Sequence, residues 1–134
     1  MSPASSAACR GVRGATTVTG DSPVEVAEAT TALLAALIDG NGCRLEDLAA
    51  AIFTVPDDLS DGSPAAAARD AGWAGVPLLM VREHGGDTRV PRCLRVLLLW
   101  NTRRPQAEIR HVYLGGASVL RPDLSPRPDD GGSR

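Results

Sequence analysis

Cys93-Leu94-Arg95-Val96-Leu97-Leu98-Leu99-Trp100 is the stretch that decides the fold. It is a short apolar run that reads as a strand, and it is apolar on both faces. A small domain with one long helix cannot cover both sides of the sheet that holds such a strand. Further chain or another copy must cover the second face, and an oligomer is expected. Arg95 is the exception within the run. A guanidinium taken out of water leaves five donors to satisfy and costs several kcal/mol without a partner. An internal salt bridge or an anionic ligand would each supply one, and the strand alone leaves both open.

Outward from that strand, His84 to Arg92 is polar and glycine-containing and reads as a mobile loop. It follows a second apolar strand from Val76 to Glu83. Before that come a short alanine-rich helix, Pro64 to Ala71, turn chemistry over Pro56 to Gly62, a strand around Ala50 to Val55, and one helical turn at Leu45 to Leu48. Ser22-Pro23-Val24-Glu25 has the form of a capping box with proline at the first helical position. It opens a helix whose Val26, Leu33, Leu34, Leu37 and Ile38 make one apolar stripe, stopped by Gly40 and Gly42. Cys9 to Val18 is a first strand containing two glycines. After the central strand, Gln106 to Arg110 suits a turn of helix, and Val112 to Leu114 and Ala117 to Leu120 short extended pieces. The order β-α-β-α-β-β predicts an α/β (α+β) domain with one mixed sheet. It spans residues 9–124, between a tail at 1–8 and another at 125–134, both too poor in apolar residues to repay ordering.

Fourteen basic against sixteen acidic residues give a net charge of −2 over 134 residues. That balance argues against nucleic-acid and anionic-membrane partners, which require a basic excess. Every basic residue is arginine, so a Schiff-base lysine, a P-loop lysine and a Ser-Lys dyad are excluded. Cys9, Cys43 and Cys93 are too few and scattered for a disulfide scaffold, and reduced thiols in the cytoplasm are expected. His84 and His111 show no metal-ligand spacing, and no metal is expected. The first residues lack a secretory signal's basic flank and apolar run, and no apolar stretch approaches a membrane span.

Glu83 ends its strand, where a glutamate alone usually reads as a solvated surface group. Arg13 projects from the first strand between two glycines. Tyr113, the single tyrosine, fits either the core or a ligand's hydrogen bond. With Arg95 these make a candidate pocket of two arginines, one carboxylate and one phenol, without a nucleophile–base pair. Such a site suits a small dianion, and any catalysis there would work through electrostatics and conformational restraint.

Arg10-Gly-Val-Arg13-Gly-Ala-Thr-Thr-Val resembles the opening of the AroH-type chorismate mutases, the small trimeric class. So do Gly72-Trp73 with Val76-Pro77, Cys93-Leu-Arg95-Val, Ile109-Arg-His-Val-Tyr113-Leu and Val119-Leu-Arg121-Pro-Asp-Leu-Ser125. The motifs keep their order and spacing from about residue 9 to 125. The resemblance implies a mixed sheet with helices on one side, assembled as a homotrimer with a barrel-like centre and active sites between subunits. It implies conversion of chorismate to prephenate by a cofactor-free pericyclic rearrangement. Arg95 would meet the negative charge that grows on the breaking ether oxygen, and Arg13 would grip a carboxylate. Glu83 would accept from the ring hydroxyl, and Tyr113 would hydrogen-bond a carboxylate. Arg69 would reach the pocket mouth from the adjacent subunit, Met80 would stand where a cysteine occurs, and Leu120 and Arg121 would belong to a segment closing over the site. The sequence departs from the family pattern at Ser63 and Ala66, where phenylalanine and lysine are common, and at Arg89 and Pro91. A non-catalytic trimer of the same fold that binds a dicarboxylate is the alternative reading, and an imine deaminase of similar assembly is a third.

Overall fold

The computed structural model describes residues 6–84 and 90–119. The elements are β1 (Ala8–Thr17), α1 (Pro23–Asn41), β2 (Leu48–Val55), α2 (Pro64–Ala68), β3 (Leu78–Arg82), β4 (Cys93–Thr102) and β5 (Val112–Tyr113). They build one mixed sheet in the order β3-β2-β4-β1-β5. The central strand β4 runs antiparallel to both β1 and β2, while β3 lies parallel to β2 and β5 parallel to β1.

Alternation along β4 divides the two faces. Leu94, Val96, Leu98 and Trp100 are buried with Val12, Phe53 and the Leu33, Leu34 and Leu37 stripe of α1, so the main core lies between helices and sheet. Gly14 permits this closeness. A Cβ there would stand 2.8 Å from Leu37 Cδ1 and 3.2 Å from Val96 Cγ1. On the other face Leu97 stays 36% exposed, and the edge strand leaves Leu79 56% and Val81 40% exposed. The second apolar face inferred from the sequence is therefore present and uncovered within one chain.

Helix α1 starts at Ser22, whose Oγ accepts from the Glu25 backbone N–H at 3.2 Å and donates to Glu25 Oε1 at 2.8 Å. Thr19 Oγ1 donates to the other carboxylate oxygen. Only Gly42 stops the helix, at φ 71 with its N–H on the Ile38 carbonyl; Gly40 remains inside.

Three local expectations are corrected. The helix from Pro64 ends at Ala68 rather than Ala71, passing into a wider π turn, Arg69–Trp73, because Gly72 adopts φ 103. Residues expected to be extended from Ala117 form a 3-10 turn, Gly115–Val119. Gly115 reverses the chain at φ 57, and the Gly116 N–H donates to Thr17 Oγ1. Strand β1 begins at Ala8, inside the expected tail, where it still pairs with Thr102. Residues 1–5, most of the expected loop, Leu120, Arg121 and the tail at 125–134 lie outside the described residues. Among those described, no helix is long and apolar enough to cross a membrane.

Candidate active site

Four strands bring the chemistry together on the uncovered face. A cavity of about 410 Å³ is lined by Arg13, Gly14 and Ala15 of β1, Ile52 and Thr54 of β2, Glu83 just beyond β3, Arg95, Val96 and Leu97 of β4, and Tyr113 of β5. The pairing explains the grouping. Ala15 sits opposite Arg95 and beside Tyr113, and Thr54 sits opposite Arg95 on its other flank. The Glu83 N–H donates to the Val55 carbonyl at 2.8 Å, prolonging the β2–β3 pairing by one residue and holding the carboxylate at the cavity.

Arg95 and Glu83 face one another, with Nε 3.2 Å from Oε1 and side chains only 26% and 18% exposed. The Nε–H is buried and not directed at that oxygen, so the contact is an ion pair without a hydrogen bond. Both readings left open for Arg95 thus meet in one place: it has an internal acid, and the pair lines an opening. Arg13 places its guanidinium carbon 5.9 Å from the centre of the Tyr113 ring, within cation–π range. Its backbone N–H donates to His111 Nδ1 at 2.9 Å, which ties the residue ahead of β5 to β1. Buried Asn41 secures the same segment from α1: its amide donates to the Leu37 and Arg110 carbonyls and accepts from the Arg110 N–H.

Behind Arg95, Cys93 packs with Ala15, Val90, Tyr113 and Ala117. Burial pushes its thiol up to about 11, against the opposing pull of the Arg95 guanidinium, so it is neutral at physiological pH. Cys43 is pushed up to about 11 by burial as well, and Cys9 alone of the three is exposed. Among the described residues no group of three or more His, Cys, Asp or Glu is placed to hold a metal ion.

The sequence-derived set divides. Arg13, Glu83, Arg95 and Tyr113 share the cavity. Met80 does not line it within the chain: it pairs with Phe53, on the helix-side face of the sheet, and accepts from Ser63 Oγ at 3.3 Å. Arg69 caps α2, exposed, and also lies outside this chain's own cavity. Thr54 was missed, although its Oγ1 donates to Glu83 Oε1 at 3.0 Å. A threonine in an apolar strand is ordinary β-sheet composition, and only the pairing register could have singled it out.

Known proteins of one family share this chain's sequence pattern and fold. Residues 9–124 match the family model described as chorismate mutase type I. The chain is 51% identical over 116 residues to the chorismate mutase AroH of Thermus thermophilus, covering 86% of this chain and 95% of that one. It is 40% identical over 117 residues to the Bacillus subtilis chorismate mutase AroH, covering 87% and 92%. A solved chorismate mutase from Clostridium thermocellum superposes with a TM-score of 0.79 at 38% identity, over 82% of this chain and 98% of the other. With the motifs, the sheet and the match across nearly its whole length in agreement, the chain belongs to the type I chorismate mutase family.

Proposed function

We propose that the cavity around Arg95 is where this chorismate mutase converts chorismate to prephenate, and that its site is completed by a neighbouring copy in a homotrimer. The observation that carries the reading is a largely buried Arg95–Glu83 pair opening onto a cavity that also holds Arg13 and Tyr113. The reaction is intramolecular: one carbon–carbon bond forms as one carbon–oxygen ether bond breaks, with no proton or electron supplied from outside. The protein's tasks are to hold a compact conformer of a dicarboxylate and to meet charge that grows as the ether opens.

Each group takes one task. Arg13 grips a carboxylate, with Tyr113 fixing its guanidinium and bonding the same end of the substrate. Glu83 accepts from the ring hydroxyl. Arg95 donates to the ether oxygen, whose partial negative charge exists fully only in the transition state, so this contact lowers the barrier rather than merely tightening binding. The chain's own cavity carries two cations and one carboxylate, one charge short of balancing a dianion. Arg69 of an adjacent copy supplies the missing cation at the mouth. The uncovered face bearing Leu79, Val81 and Leu97 gives the copies an apolar surface to share. Leu120 and Arg121 close over the occupied site, and Met80 contributes through packing at the subunit boundary. No cofactor enters the scheme, and the reduced thiols fit a cytoplasmic enzyme.

The direct test is to mix purified protein with chorismate and follow both the loss of its ultraviolet absorbance and the appearance of prephenate. Turnover is expected, and unchanged absorbance would overturn the reading.

A further inference from the structure

Among the described residues, the Glu83 carboxylate carries two contacts on one oxygen. Thr54 Oγ1 donates to Oε1 at 3.0 Å, and Arg95 Nε lies 3.2 Å from that same atom. Among the described residues no hydrogen bond reaches Oε2. Thr54 is fixed in its turn, because β2 is an interior strand paired on both sides, with Thr54 opposite Arg95 on one flank and Val81 on the other. Its hydroxyl therefore stands in the row that carries the ion pair and lines the same cavity.

We propose that Thr54 is a positioning residue that holds Glu83 Oε1 and so keeps both Glu83 Oε2 and the outer Arg95 donors free for substrate; this rests on the reading of the cavity given above. Glutamate has three rotatable bonds, and an acid beside an arginine favours a two-pronged, hydrogen-bonded pair. That arrangement would engage the guanidinium that must meet the ether oxygen, and the carboxylate oxygen that must meet the ring hydroxyl. The observed pair is different: the Nε–H does not point at Oε1, while the Thr54 hydroxyl does. One hydroxyl thus holds the carboxylate off the two-pronged geometry. Without it Glu83 collapses onto Arg95, and the pair becomes the self-contained salt bridge that a buried arginine would otherwise adopt.

The test compares steady-state kinetics of the wild type with Thr54→Val, which keeps shape and β-propensity but has no donor, Thr54→Ser, which keeps the donor, and Thr54→Ala as a second donorless form. Removing a hydrogen bond to a charged group is expected to lower kcat roughly ten- to a hundredfold in Thr54→Val and Thr54→Ala. Thr54→Ser is expected to stay within about threefold of wild type, and all forms to keep the wild-type native mass and circular dichroism. The proposal is overturned if the donorless forms turn over like wild type, if only KM changes, or if Thr54→Ser is as impaired as Thr54→Val. A wild type inactive on chorismate defeats the reading of the cavity itself, and this proposal with it. An active wild type with unimpaired Thr54→Val defeats the positioning role alone.

Discussion

Arg95 is legible in sequence because it is out of place, yet only its surroundings say what it does. One arginine in an eight-residue apolar strand must find an anion, and the structure shows that its anion is Glu83, twelve residues earlier, across a pair that still borders open space. Replacing Arg95 with alanine is expected to lower kcat by at least about a hundred- to a thousandfold, the scale for losing a donor aimed at developing charge, with the fold retained. Kinetics alongside a thermal melt distinguish this from unfolding. The cysteines give a second residue-scale expectation. Thiols pushed up to about 11 by burial stay protonated, so an alkylating reagent at neutral pH labels exposed Cys9 and spares Cys43 and Cys93 until denaturant is added. Peptide mass spectrometry reads the three sites separately.

Among the elements, α1 shows how local sequence and tertiary contact share the work. Its capping residues hold the Glu25 carboxylate below its usual value of 4.5, chiefly through the Ser22 hydroxyl and then Thr19. A depressed folded-state pKa stabilises above the unfolded value and loses that contribution as pH falls below about 4.5. Melting temperatures measured downward from about pH 6 are therefore expected to drop less steeply in Glu25→Gln than in wild type. At the other end, Asn41→Leu removes three hydrogen bonds, one inside α1 to Leu37 and two that join α1 to Arg110 in the segment before β5. Unfolding in denaturant should show a loss of about 1–3 kcal/mol, the cost of stranding those backbone groups. Because β5 carries Tyr113, KM should rise as well.

For the molecule as a whole, the proposal that a second copy completes the site rests on the uncovered sheet face and the charge deficit of the cavity. Native mass spectrometry is expected to give three times the 13.9 kDa chain. Co-expressing Arg95→Ala with Arg69→Ala offers a sharper measurement. Each variant alone is expected to be nearly inactive. Mixed trimers regain about one working site in three, because an Arg69→Ala chain keeps its own Arg95 and borrows Arg69 from its neighbour. A site built within a single chain would show no such recovery.

Strands β1 to β4, the long helix with its caps, and the oddity of Arg95 were readable along the chain, because periodicity, turn chemistry and misplaced charge are local properties; Arg13, Glu83 and Tyr113 stood out only as candidates whose roles the resemblance supplied. The motif resemblance added the family. Tertiary structure decided the rest. It put Met80 on the opposite face from the cavity, turned the residues after Gly115 into a helical turn, and gave Thr54 its hold on Glu83. The placements of Met80 and Thr54 depend on which residue stands opposite which across a strand pair. A register shift of one position reverses the face of every side chain without changing any local pattern, so only the assembled sheet can settle them.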